Sequence, residues 1–134
     1  MAVPRKQSAI RYADDLIITF SDLGEEFRAE PTDLEADEGF TTILPCGPPE
    51  GYPRPMVTWK RDGEYVNLDQ RIHISEESGN LIIQRLFKED EGHYQCIVSN
   101  MAGSRDSSVA KLHVRRKFYA HIPIFTNIKV SRIC

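Results

Sequence analysis

No stretch of this chain comes near the roughly eighteen consecutive apolar residues that a membrane-crossing helix needs. Its apolar runs, such as residues 16–18 and 81–83, stop after three positions. The first residues, MAVPRKQSAIRYADD, contain no apolar block of the kind that marks a secretory leader. None of Asn67, Asn80, Asn100 and Asn127 has Ser or Thr two positions on, so no acceptor for an N-linked sugar is present. Histidine is sparse, and His73, His93, His113 and His121 fall at no metal-ligand spacing. Acid is missing from the last twenty residues, which hold Arg115, Arg116, Lys117, Lys129 and Arg132. From Gly24 to Val114 the balance reverses, with 17 acidic against 9 basic residues. That excess of acid argues against a nucleic-acid-binding module, and the basic tail reads as a solvated flank.

Cysteine is scarce too: there are three, at 46, 96 and 134. Cys46 and Cys96 stand fifty positions apart, with Trp59, the one tryptophan, thirteen after the first. Around them run VTWKRDG and the series Leu81, Ile83, Leu86, Asp90, Gly92, Tyr94, Cys96. This spacing predicts an all-β, immunoglobulin-like sandwich of Greek-key type. The Cys46–Cys96 disulfide would tie one sheet to the other, with the indole packed beside the sulfurs. Two sheets stand about 10 Å apart, and a bridge spans about 6 Å between Cα atoms, so it fits only where the sheets approach. Such a bond implies an oxidising compartment and leaves Cys134 unpaired within the chain. Together with the length, it suggests one domain with two flanks, an excised piece of a larger extracellular protein.

Residues 1–23 do not carry this pattern and read as an N-terminal flank, either foreign to the domain or the remnant of a preceding one. Residues 9–20 suit a short helix or a strand equally. The domain is expected over 24–114. Phe27 is expected to pack on its lower core. Pro31 should end a first edge piece and let the chain change sheets, and Gly39 should turn it into the next strand. Period two then sends Thr42, Leu44 and Cys46 inward. Pro45 between them is a conflict, because proline cannot donate to a central ladder. GPPEGYPRP is a turn-forming loop. Val57 and Trp59 point inward, and Asp62-Gly63 marks a hairpin. The compact connection over 65–70 leaves no room for two extra variable-type strands, which favours the intermediate, I-set form. Strands follow at 71–74, at Leu81 and Ile83, at Tyr94, Cys96 and Val98, and at Ala110, Leu112 and Val114. Tyr94, two before Cys96, stands where a tyrosine corner forms. Residues 115–134 read as a basic C-terminal flank, the start of a next domain or a tail.

No catalytic constellation stands out. Ser99, Ser104, Ser107 and Ser108 cluster near a hairpin without an evident base, and neither a cofactor nor a metal site is expected. His73, His93 and His113 fall on outward positions. The run Glu89-Asp90-Glu91 suits a structural purpose better than calcium, because Asp90 can pair with Arg71 across the base of the sandwich. What remains is recognition. Arg54, Lys60, Arg61, Arg105 and Lys111 are candidate contacts for a sulfated glycosaminoglycan or a protein, with Lys60, His93, Gln95 and Lys111 expected on one solvated face. Tyr52, Tyr65 and Met101 are candidate protein contacts.

The segments FRAEPTDLEADEG, LPCGPPEGYPRPMVTWKRDG and RIHISEESGNLIIQRLFKEDEGHYQCIVSNMAGSRDSSVAKLHV resemble an I-set domain of the Roundabout axon-guidance receptors, the second extracellular one best. The cysteines, the tryptophan and Asp90-x-Gly92-x-Tyr94-x-Cys96 are common to many cell-surface proteins. Narrower are Phe27-Arg28-x-x-Pro31-x-Asp33, Pro49-x-Gly51-x-Pro53-x-Pro55 and Asn100-Met101-x-Gly103-x-Arg105-x-Ser107-x-x-Ala110. The resemblance covers about residues 24–114. It implies the extracellular part of a single-pass plasma-membrane receptor. In such a receptor the domain sits among neighbouring immunoglobulin domains. It supports the binding of a secreted Slit-type ligand and contributes basic residues to heparan sulfate. Two rivals share the domain type: a homophilic or heterophilic neural adhesion domain, and a cytosolic I-set spacer of a muscle scaffold with reduced thiols. Titration of the denatured, unreduced protein separates the last from the others. One free thiol per chain is expected, and three would indicate the cytosolic spacer.

Overall fold

The computed structural model describes residues 6–8 and 20–116. Residues 1–5, 9–19 and 117–134 lie outside it, and with them all of the helix-or-strand alternative for 9–20 except Phe20, the C-terminal flank beyond Arg116, and Cys134. The described strands are β1 (Lys6–Ser8), β2 (Ser21–Leu23), β3 (Leu34–Asp37), β4 (Thr42–Leu44), β5 (Gly51–Tyr52) and β6 (Met56–Arg61), followed by β7 (Glu64–Tyr65), β8 (Ile72–Ile74), β9 (Leu81–Ile83), β10 (Gly92–Asn100), β11 (Gly103–Asp106) and β12 (Ala110–Arg115). One sheet runs β3-β12-β10-β6-β7, with β11 also paired to β10; a second runs β4-β9-β8; a small third runs β1-β2-β5.

Alternation along the strands builds the core. Leu44 and Cys46 meet Leu81 and Ile83 from one sheet, and Trp59, Tyr94, Cys96, Val98, Leu112 and Val114 face them from the other. All ten are essentially inaccessible to solvent. Phe27 and Val57 pack against the rim of this cluster, and Leu86 closes its base. Cys46 and Cys96 are bonded across the gap, with Cα atoms 6.3 Å apart. Closing a loop of this length contributes about 2–4 kcal/mol. The indole beside the bridge is satisfied as well as buried: Trp59 Nε1 donates to the carbonyl of Gly79 at 2.9 Å. Gly79 has φ +86°, and a Cβ there would lie 3.0 Å from the carbonyl oxygen of Cys46. The turn that accepts the indole proton therefore requires glycine.

The proline conflict resolves in the register. β4 stops at Leu44, where its pairing with Leu81 of β9 ends, so Pro45 sits past the ladder with its ring exposed. The N–H of Cys46 is taken by the Asn80 side chain at 2.9 Å. Gly47 then pairs with Ala29. After Ala29 comes the buried Pro31, and β3 runs parallel to β12 in the opposite sheet, so the first edge of the domain changes sheets at that proline.

The N-terminal flank is not wholly separate from the domain. Ser21, Asp22 and Leu23 are buried. As β2 they pair with β5, inside the loop that the sequence pattern marks only as turn-forming.

Candidate functional site

At the base of the sandwich, Arg71 Nη1 donates to Asp90 Oδ2 at 2.8 Å and Nη2 to Asp90 Oδ1 at 3.0 Å. The guanidinium lies 4.2 Å above the Phe87 ring. Asp90 Oδ2 also accepts the N–H of Phe87 at 2.7 Å, and the Tyr94 hydroxyl donates to the carbonyl of Asp90. Each charge is thus met by a geometrically matched partner, as a desolvated carboxylate requires. The hydrogen bonds that Arg71 donates to Asp90 raise the Arg71 pKa above its ordinary value, and burial pushes the Tyr94 hydroxyl up. These groups bind the connection before β10 to the start of β8.

The outer face of β6, β10 and β12 is different. Lys60 stands opposite Gln95, and His93 opposite Lys111. Cross-strand partners share a face, and so do residues two apart, so all four side chains project from one side. Neighbouring strands are about 4.8 Å apart and residues rise about 3.3 Å along them. That separates Lys60 from Lys111 by about 12 Å. Lys60 lies 4.9 Å over the Tyr65 ring, and Met56, two residues before Thr58 on this face, is 70% exposed. At one margin Asp62 Oδ1 accepts the N–H of His93 at 2.9 Å, which lowers the Asp62 pKa. At the other, Glu91 accepts the N–H of Val114 and the ammonium of Lys88, and these lower its pKa in that order, with a smaller contribution from His113.

The other three basic candidates do not join this face. Arg61, consecutive with Lys60, turns to the opposite side, across from Tyr94, and donates to the Glu89 carbonyl at 3.2 Å. Arg54 donates to the carbonyls of Glu76 and Glu77 at 3.0 and 3.1 Å, along the rim of a groove of about 680 Å³ floored by Pro49, Pro55, Val57 and Ile74. Arg105 stands opposite the buried Val98. It donates to the Leu23 carbonyl at 3.3 Å and pairs with Glu25 at 2.9 Å, while its Nε is buried without a partner. Of the five basic candidates the fold brings Lys60 and Lys111 together with His93 on one face, while Arg54, Arg61 and Arg105 donate to backbone carbonyls elsewhere. Among the described residues no group of three or more His, Cys, Asp or Glu side chains could hold a metal ion, and no helix is long and apolar enough to cross a membrane.

A family profile for the immunoglobulin I-set domain matches residues 25–114. Among known proteins, Roundabout homolog 2 of Homo sapiens is 41% identical over 92 residues, 69% of this chain and 7% of that protein. Protein sax-3 of Caenorhabditis elegans is 38% identical over 96 residues, 71% of this chain and 8% of that protein. Roundabout homolog 4 of Mus musculus is 39% identical over 94 residues, 69% of this chain and 9% of that protein. The chain therefore spans less than a tenth of the length of these relatives. Among solved structures, titin domain M7 superposes with a TM-score of 0.60 at 27% identity, over 67% of this chain and 92% of that one. The N-terminal Ig1-2 module of the Drosophila receptor protein tyrosine phosphatase DLAR superposes with a TM-score of 0.64 at 21% identity, over 73% and 56%, a likeness of fold. The chain belongs to the immunoglobulin I-set family, a non-catalytic one, and its domain is homologous to those of the Roundabout proteins.

The pair at the base has a measurable weight. Asp90→Ala leaves the Arg71 guanidinium facing carbonyls and the Phe87 ring without its counter-charge. Chemical denaturation of this variant is expected to show a loss of about 3–5 kcal/mol; an unchanged midpoint would contradict the assignment.

Proposed function

We propose that this I-set domain is an extracellular recognition module of a cell-surface guidance receptor of the Roundabout type. In that setting it supports the binding of a secreted Slit-type protein and contacts heparan sulfate through the outer face of β6, β10 and β12. The observation that carries this reading is the co-facial set Lys60, His93 and Lys111, on a domain 38–41% identical to Roundabout and sax-3 domains. A sulfated chain presents anionic groups along its length, and two lysines whose backbones stand about 12 Å apart on one sheet face meet two of them without desolvating either. Strand backbone holds both lysine stems, so less ordering is needed on binding than for a flexible loop. Arg61, Arg54 and Arg105 are left out, because their guanidiniums are engaged with carbonyls. The surface is exposed and its contacts are ionic, so binding weakens steeply with salt.

Heparin-column elution tests this assignment. Lys60→Glu together with Lys111→Glu is expected to abolish retention, and Arg61→Gln to leave most of it. Elution of the double variant at the wild-type salt concentration would overturn the proposal.

A further inference from the structure

Two of the narrower motifs have so far no assigned purpose: Pro49-x-Gly51-x-Pro53-x-Pro55, and the run beginning Asn100-Met101-x-Gly103-x-Arg105. In the fold they meet at one end of the sandwich, and between them lies the segment just before the I-set match. There β2 adds edgewise to β5, with Asp22 opposite Tyr52 and Leu23 opposite Gly51. Leu23 is completely buried, and Gly24 donates its N–H to the Glu50 carbonyl at 2.7 Å.

Asn100 is the hub of this end. Its Nδ2 donates to the Asp22 carbonyl at 2.7 Å and to the Pro53 carbonyl at 2.9 Å, so both amide hydrogens are used. Its Oδ1 accepts the N–H of Ala102 at 2.8 Å, which holds the turn between β10 and β11. An amide at this distance from the backbone can do all three, whereas a carboxylate keeps the acceptor and loses both donors. Arg105 adds the bond to the Leu23 carbonyl and the ion pair with Glu25. Gly51 lets the strands close, since a Cβ there would come within 2.9 Å of the Asp22 carbonyl oxygen and 3.1 Å of Asn100 Nδ2. On the far side β2 pairs with β1, Lys6 opposite Leu23. The ring of Phe20 stacks on Tyr52, with centroids 6.5 Å apart.

We propose that this end of the domain is a strand-docking clamp for the chain's own upstream segment, latched by Asn100, and that it fixes the direction in which the upstream chain leaves the domain. The loops here are spent on that segment, as a β-augmentation site is spent on its strand, and recognition of ligands is left to the sheet faces. The proposal does not depend on the glycosaminoglycan assignment, which concerns another surface.

Amide hydrogen exchange on the oxidised 134-residue chain tests it, because exchange reads local opening separately from global unfolding. In the wild type, amides 22 and 24, which face β5, are expected to be strongly protected. Asn100→Asp preserves the acceptor for Ala102 but places a carboxylate against two carbonyls. It is expected to speed exchange at 22 and 24 by at least about tenfold while Cys96 and Val98 stay protected. Gly51→Ala attacks the same contact from the loop side and is expected to give the same pattern. If one variant loses protection at Cys96 and Val98 as well, the other decides. Wild-type amides 22 and 24 exchanging at free-chain rates, or unchanged exchange there in a variant that keeps its core, would overturn the clamp.

Discussion

One covalent tie sets the geometry of the whole domain. The Cys46–Cys96 bond joins the two sheets at a Cα separation of 6.3 Å, and the buried Trp59 ring fills the space beside it. Neither half works alone. The indole carries an N–H that must find an acceptor once water is excluded, and it finds the Gly79 carbonyl. That acceptor exists because Gly79 takes a left-handed conformation on which a side chain would be strained. The adjoining Asn80 side chain caps the N–H of Cys46 itself. A glycine and an asparagine in one turn thus serve the indole and the bridge at once. Aligned sheets at this spacing leave room for a single layer of inward side chains, and the alternating residues of β4, β6, β9, β10 and β12 supply it.

The two ends of the sandwich are closed by different chemistry. At the base, a desolvated Arg71–Asp90 pair and the Tyr94 hydroxyl hold the segment before β10. At the opposite end, neutral amide-to-carbonyl bonds from Asn100 hold the upstream strand. Between these ends, the outer face of β6, β10 and β12, proposed above for recognition, presents a mixed surface. It combines the Lys60 and Lys111 ammonium groups with exposed Met56 and Tyr65, the residue types that interfaces favour.

How much of this was legible in the residues follows from which interactions are local. Period-two alternation picks out Leu44, Leu81, Ile83, Tyr94, Cys96, Val98, Leu112 and Val114, because a sheet with one buried face imposes that pattern directly. The Asp62-Gly63 hairpin was equally legible, since its geometry is a matter of two residues. Pro45 looked like a misfit only while β4 was taken to run on to Cys46; the end of a ladder depends on the partner strand, here β9. Ser21–Leu23 gave no signal at all. Two of its three residues are polar, and the carbonyls of Asp22 and Leu23 are held by Asn100 and Arg105 from 78 and 82 positions away. The division of the basic candidates between surfaces has a simpler source. Lys60 and Arg61 are consecutive in a strand and so must face opposite ways, and applying that parity would have separated them from sequence alone.

The claim most exposed to a single observation is the identity of the covalent tie, since three thiols allow three pairings and a count of free thiols does not distinguish them. Peptide mass mapping of the folded, unreduced protein does. The account predicts a linked fragment containing residues 46 and 96, with Cys134 outside it. Recovery of Cys134 joined to either core cysteine, or of Cys46 and Cys96 both free, would contradict the structure at its centre.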